Sequence, residues 1–458
     1  MGGFSTFAIS FSIISVVTGV ITTYGTAISS GGPAALGIGW PLVSVGTMIV
    51  ALAMAEVASA FPTAGALYHW SSLLGGPGWG WFTAMLNLTG QCAIVAAIDF
   101  GCAQSVVSTF GRERLVVPLF LVILFTHAII NAFGVRLVAW LNSFSATVHI
   151  VGVVVIVGAL LVFGRAKPFT FVFETGFTTR PDGRWALGFI NALVLGTWTF
   201  TGYDASAHVS EETHDPARRA PWGIVSSVGV SAVAGYALVI ALTLAIKDME
   251  VARAAQPALE VMTAALGHRA GVGAMLLASV AMWFCGLSSV TSFSRTLYAF
   301  SRDDGLPGSH AIRAVHRTYG TPLMAVLLSV LLPAALVIVT VPLSDSVFLA
   351  VASLATTGLY VSYALPIGLG AVARIQGRWN HRGPFQLGRF GVPIAFAAVL
   401  WAIAVLGICS LPPNWTAGAM LAVLVVVLVI VYLAFVRGRF KGPKVTMAAM
   451  EKAIARST

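Results

Sequence analysis

Twelve stretches of about 20 mostly apolar residues, the length a helix needs to cross a bilayer, divide this chain from end to end. They run roughly over 6–30, 37–60, 78–106, 115–133, 138–163, 185–209, 222–246, 270–299, 322–341, 346–372, 392–410 and 416–436. Of the 458 residues, 58% are hydrophobic and 9% are charged, against about a quarter charged in soluble domains. A chain this apolar takes lipid as its solvent. A large soluble α/β core would need frequent charged loops, and long stretches here have none. The expected fold class is therefore an all-α polytopic membrane protein with about 12 helices.

A formal net charge of +10 would suggest nucleic acid in a soluble protein. Here the basic residues fall in short loops, so the partner is the lipid bilayer and not nucleic acid. With both termini on one face, its loops carry Arg136, Arg218, Arg219, Arg302, Arg313, Arg317, Arg374, Arg378, Arg382 and Arg389. The tail adds Arg437, Arg439, Lys441, Lys444, Lys452 and Arg456. The other face holds nine, from Arg112 to Arg269. By the positive-inside rule the termini are cytoplasmic, in a plasma membrane. No Lys or Arg precedes Arg112, so the first span has no charge signal of its own and a short upstream segment fits this start. The first apolar run has no signal-peptide pattern. Cys92, Cys102, Cys285 and Cys409 lie in apolar runs without metal or disulfide spacing.

Polarity interrupts the membrane at two places. The first span reads Ser15-Val-Val-Thr-Gly-Val-Ile-Thr-Thr-Tyr-Gly-Thr26, with Thr22, Thr23, Tyr24 and Gly25 at its polar end. The sixth reads Gly196-Thr-Trp-Thr-Phe-Thr-Gly-Tyr-Asp-Ala205. Glycine eases departure from the helix, and backbone freed at membrane depth must line a cavity. Each interruption opens a set of five spans, which suggests an inverted repeat of residues 1–163 and 164–372. Two extra helices over 373–436 and a tail over 437–458 would follow. Paired breaks in corresponding helices point to a substrate site, although Gly and Thr also serve close helix packing.

Ionisable residues inside spans are few, and each needs a cavity or a partner. Asp204 adjoins the sixth break and is a candidate for a substrate amine or a helix cap. Asp99 can serve the same amine or pair structurally. Trp198 and Tyr203 flank the break and can cover a substrate or simply pack. His149, in the fifth span, can titrate near physiological pH and is a candidate proton carrier or a packing histidine. Ser288, Ser289 and Thr291 in the eighth span offer hydroxyl oxygens for Na⁺, or bond their own helix. Glu56, Glu211 or Glu212 can pair with Arg295 or Arg302 as a gate on the terminal face. No cluster resembles a transition-metal site and no cofactor is expected; the possible coupling ion is H⁺ or Na⁺.

The stretches Phe4-Ser-Thr-Phe-Ala-Ile-Ser-Phe-Ser-Ile-Ile-Ser15, Gly31-Gly-Pro33 and Ala55-Glu-Val-Ala-Ser-Ala-Phe-Pro-Thr-Ala-Gly-Ala-Leu-Tyr68 lie in the first half. Thr201-Gly-Tyr-Asp-Ala-Ser-Ala-His-Val-Ser-Glu-Glu-Thr213 and Ser294-Arg-Thr-Leu-Tyr-Ala-Phe-Ser-Arg-Asp-Asp-Gly-Leu-Pro307 lie in the second. In these the chain resembles the amino acid–polyamine–organocation superfamily, in its amino acid/choline permease branch. The resemblance implies a leucine-transporter-type fold with the first and sixth helices unwound around the substrate. It implies a substrate carboxylate near Thr22, Thr23, Tyr24 and Gly25, and an amine near carbonyls around Thr199, Thr201 and Gly202. This chain has Thr22-Thr-Tyr-Gly25 where the superfamily commonly has Gly-x-Gly, which leaves a γ-amino acid such as γ-aminobutyrate, choline or a polyamine open.

The expected function is alternating-access transport of an amino acid or related small amine, by symport or exchange, without covalent change. A non-transporting amino acid receptor is the competing class. No nucleophile–base pair or soluble catalytic region suggests an enzyme, and no continuous polar row suggests a channel.

Overall fold

A chain in hydrocarbon must satisfy its backbone N–H and C=O groups internally, which makes helices of the apolar windows. The computed structural model describes residues 2–133, 135–175, 184–254, 256–344, 346–379, 381–410 and 415–444. Arg180, Lys452 and Arg456, the side chains of Arg136 and Arg253, and the tail beyond residue 444 lie outside the described residues.

The helices in order are α1 (Gly3–Ile14), α2 (Val16–Ala60), α3 (Ala66–Gly75), α4 (Pro77–Thr109), α5 (Val116–Ala132) and α6 (Val135–Ala159). The second half brings α7 (Trp185–Ala192), α8 (Val194–Thr199), α9 (Ala205–His208), α10 (Pro216–Leu244), α11 (Pro257–Leu266) and α12 (His268–Arg302). After these come α13 (Ser309–Ile312), α14 (Leu323–Thr340), α15 (Val347–Ile375), α16 (Gly391–Ser410) and α17 (Trp415–Val431).

Among the described residues, ten stretches are long and apolar enough to cross a membrane. The first, Gly3–Ala60, has 58 residues. As one helix it would be about 87 Å long, nearly three bilayer cores. It divides at Gly32, whose φ of 68° and ψ of −168° are not helical; Pro33 then starts the second crossing with its φ already set. The broken sixth span, α7 to α9, adds a crossing that its length alone does not reveal. Among the described residues the count is then twelve, as the apolar windows indicate.

Burial sorts these helices into layers. The first stretch is 83% buried over its apolar window, whereas the last, Ala417–Val436, is 6% buried. Apolar side chains on that last helix, such as Val423 and Ile430, face outward, as lipid requires. Around the central first span, α10 packs along α2, and α15 and α12 pack along α4. The broken span lies against α2, so both breaks sit in the middle of the bundle.

The geometry at Gly32 is open only to glycine, and forcing another residue there costs about 1–3 kcal/mol. Gly32→Ala should lower stability by about that amount, seen as a lower thermal midpoint in detergent. Gly152→Ala, where an added Cβ would have no neighbour nearer than 3.8 Å, should stay within about 0.5 kcal/mol of the parent.

Candidate functional site

The first helix breaks at Ser15. α1 stops at Ile14, Ser15 takes the left-handed φ of 32°, and α2 begins at Val16. Ser15 is the N-cap of α2: its Oγ accepts from the Thr18 N–H at 3.2 Å, as a serine at this position does. A positive φ is uncommon outside glycine, and neighbours hold it here. Ser15 Oγ lies 2.6 Å from Thr18 Oγ1 and 2.7 Å from His149 Nε2.

This corrects the expectation of a break at Thr22–Gly25. Those residues are helical. Thr22 Oγ1 donates to the Thr18 carbonyl at 2.7 Å and Thr23 Oγ1 to the Gly19 carbonyl at 2.6 Å, so these hydroxyls brace the helix they were expected to open. Tyr24 OH meets Thr243 Oγ1 at 3.2 Å. Gly25 admits Pro257 of α11, which would be 2.8 Å from a Cβ. Thr22 and Gly25 line a cavity of about 410 Å³ with Phe100, Gln104, Gln256 and Phe348, on the face opposite the N-terminus.

The sixth span breaks where expected. α8 ends at Thr199, α9 starts at Ala205, and Gly202 between them has φ 80°. A Cβ on Gly202 would stand 2.2 Å from Cγ2 of Ile13, so the two breaks touch. Gly19 also meets Thr199, whose Oγ1 would be 2.0 Å from a Cβ there. The Thr199 and Thr201 hydroxyls donate to the Leu195 and Trp198 carbonyls. Trp198 packs edge-on against Phe348, and Tyr203 lies beside Tyr363 with ring centres 5.0 Å apart. Trp198 Nε1 and Tyr203 OH are buried with no hydrogen-bond partner among the described residues.

Asp204 is the hub of this break. Its Oδ1 accepts from Tyr363 OH at 2.8 Å, and that same hydroxyl accepts the Gly202 N–H at 3.1 Å. Its Oδ2 is 3.0 Å from His208 Nε2 and 3.4 Å from Asn87 Nδ2. Gln91 Nε2 donates to Asn87 Oδ1 at 2.7 Å and to Thr296 Oγ1 at 2.9 Å. Four helices thus meet one carboxylate and its neighbours. Asn87, Gln91, Tyr363, His208 and Ser15 were not among the sequence candidates. Signals did exist: Asn87 and Gln91 are polar residues one turn apart in an apolar span, as are Asp204 and His208.

The other candidates separate. Asp99 is fully buried and pairs with His127 Nδ1 at 3.2 Å, against Gly286 on α12, next to Cys285, whose thiol donates to the Ile13 carbonyl at the first break. His149 joins the first break through Ser15. Its Nδ1 is 2.8 Å from the Ser145 carbonyl, which fixes the hydrogen there and leaves Nε2 to accept from Ser15. Ser288 Oγ donates to Asn142 Oδ1 at 2.9 Å, and Ser289 Oγ to its own helix at Cys285 O.

On the face that carries the N-terminus, Arg295 meets Glu212 at 3.2 Å and Arg302 takes both oxygens of Glu211 at 2.9 and 2.7 Å. Glu56 pairs with neither arginine. It lies 2.7 Å from Arg374 at the end of α15 and accepts the Leu387 N–H at 2.9 Å. The end of α15 stands beside the end of α2, which places Arg374 at Glu56, and the chain between α15 and α16 brings the Leu387 N–H. Asp303 adds a cluster that sequence reading missed. One oxygen takes Tyr68 OH and His69 Nε2, and the other takes the Lys444 backbone N–H at 3.0 Å. Burial works against the Asp303 charge, but the hydrogen bonds from His69, Tyr68 and Lys444 outweigh it and hold the carboxyl below its ordinary value.

The sequence profile of the amino acid permease family matches residues 1–439. The chain belongs to that family. The permease is 37% identical over 442 residues to amino-acid permease BAT1 of Arabidopsis thaliana, covering 89% of this chain and 84% of that one. It is 27% identical to amino-acid permease 2 of Neurospora crassa, covering 87% and 76%. Its fold matches the crystal structure of a manganese transporter of Eremococcus coleocola with a TM-score of 0.55, at 13% identity and over 99% and 96% of the two chains. The permease is a multi-pass membrane protein of the amino acid–polyamine–organocation superfamily with the leucine-transporter-like fold. It carries out secondary active transport of a small amino acid or amine, and its family is one of transporters, not enzymes.

Tyr363→Phe would leave the Gly202 N–H buried without a partner, at a cost of about 1–3 kcal/mol. The variant should melt earlier and transport more slowly; an unchanged melting point would show that this hydroxyl does not hold the break. Asp303→Asn should speed backbone hydrogen exchange over 436–444 roughly tenfold at neutral pH, the loss of one charge-assisted bond. In the parent the Asp303 carboxyl titrates below its unfolded value. The tail's protection should therefore be full at neutral pH, hold to about pH 4, and fall as pH drops through the lower folded value.

Proposed function

We propose that the permease moves its substrate by alternating access about the two breaks, with γ-aminobutyrate the first candidate solute and H⁺ the coupling ion. One observation carries this reading: the two breaks touch in the middle of the bundle, beside two buried donors, Trp198 Nε1 and Tyr203 OH, that have no partner among the described residues. Buried donors are ordinarily satisfied, and a bound solute would satisfy these. The start of α2 at Val16 and Val17, ahead of the capped Thr18 N–H, presents helix N–H groups suited to a carboxylate. The ends of α1 and α8 offer carbonyls for an amine, with the Asp204 charge behind them.

For the coupling, His149 touches the break through Ser15. A proton added at Nε2 turns that bond around: the imidazolium donates, and the Ser15 hydroxyl turns to Thr18. Protonation and the shape of the break are then linked. Ser288 and Ser289 bond to protein acceptors, which makes Na⁺ the second choice. The pairs of Glu56, Glu211 and Glu212 serve as the gate on the terminal face, which the basic loops assign to the cytoplasm. The halves 1–163 and 164–372 act as the inverted repeat, and the amino acid/choline branch is the closest fit to its motifs.

Liposomes containing the purified permease test this with radiolabelled γ-aminobutyrate, against unlabelled α-amino acids, choline and polyamines. Saturable uptake driven by an inward proton gradient is expected. His149→Gln should lose that acceleration and keep counterflow exchange. Acceleration by a sodium gradient alone would assign the coupling to Na⁺. Substrate binding without uptake or counterflow would make the protein a receptor.

A further inference from the structure

Between the end of α2 and the end of α15 lies a cavity of about 290 Å³, on the face that carries the N-terminus. Residues 376–390 strap across its mouth. The strap is held in register: the Phe385 N–H donates to Ser59 Oγ at 2.9 Å, that hydroxyl donates to the Ala217 carbonyl at 2.8 Å, and Gly383 lies so close that a Cβ would be 2.3 Å from the Ser59 backbone.

The cavity is charged in an uneven way. Glu56 is its acid, and both carboxylate oxygens are engaged, one by Arg374 and one by the Leu387 N–H. Arg374 stacks on the Trp379 ring at 4.0 Å, which fixes the plane of its guanidinium. Only one of its five N–H donors is needed for Glu56. Arg382 lines the same cavity and has no acidic partner among the described residues. His381 lines it too. Two guanidinium groups therefore face one carboxylate, and an excess of oriented donors remains.

We propose that this cavity binds a phosphate group, and that the group is the headgroup of an anionic phospholipid. Guanidinium forks match phosphate oxygens in pairs. The volume is at the low end for a ligand pocket and suits a headgroup rather than a whole solute. The strap's ends favour a lipid: Ile375, just before it, is 63% exposed and Phe390, its last residue, is 55% exposed, and these would give acyl chains an apolar surface. Basic pockets between helix ends hold anionic headgroups in this way. The bound phosphate would bridge Arg382 on the strap to Arg374 on α15 and clamp the strap over Glu56. The site is separate from the two breaks and does not depend on which solute is carried.

The test titrates the detergent-purified permease with dioctanoyl-phosphatidylglycerol, dioctanoyl-phosphatidylcholine or inorganic phosphate and reads the thermal midpoint. Phosphatidylglycerol should raise it saturably, and the other two should not. Arg382→Gln, on an exposed loop that folds without it, should weaken the apparent affinity about tenfold, the loss of one charge-assisted contact. Arg317→Gln, a charge removed elsewhere on the same face, should leave the titration unchanged. No rise with phosphatidylglycerol, or the same titration in Arg382→Gln as in the parent, would overturn the site. A rise as large with inorganic phosphate would overturn the lipid assignment.

Discussion

A helix that stops inside a bilayer leaves amides and carbonyls with no water to turn to. Here several of the freed groups find partners on different helices. The Ile13 carbonyl takes the Cys285 thiol of α12, the Tyr203 carbonyl takes Ser10 of α1, and the Phe200 carbonyl takes Tyr360 of α15. The Gly202 amide goes to Tyr363, one turn further along α15. The breaks are therefore where the bundle is tied together, as well as where it is weakest in helical terms. Burying such groups unpaired would cost far more than the net gain of each bond. That asymmetry, more than the worth of any one contact, holds α1, α9, α12 and α15 around one point.

The terminal face follows a different logic. Glu211–Arg302, Glu212–Arg295 and Glu56–Arg374 join separate helices by single pairs. Exposed pairs of this kind contribute about 0–1 kcal/mol each; the half-buried ones contribute more but cost desolvation. Under the alternating-access cycle proposed above, pairs of this size would let the face open without one large barrier. The dry contact of Gly19 with Thr199 beside the breaks makes the opposite choice, since no rearrangement short of moving α2 from α8 admits anything between them.

How much of this could be read from the sequence depends on whether the deciding interaction is local. Apolar length is local, and the twelve crossings followed from it, even the two that share Gly3–Ala60. Gly202 was legible because a glycine amid polar residues in a lipid-length window has few other uses. Thr22, Thr23 and Gly25 carried the same signature and misled. A threonine hydroxyl can release a helix or brace it through the carbonyl one turn back, and composition does not say which. Ser15 looked ordinary because its role depends on His149, 134 residues away. Glu56 was matched to the wrong arginines for the same reason. The right one, Arg374, stands at the end of α15, a helix whose packing beside α2 no charge pattern announces.

Asp303 has one further consequence. A single carboxylate grips α3 with one oxygen and the Lys444 backbone N–H with the other. It works as a mechanical linkage: displacement at Lys444 passes in part through one side chain into Tyr68 and His69 on α3, alongside the bonds of the Lys444 ammonium to Asp304 and the Arg302 carbonyl.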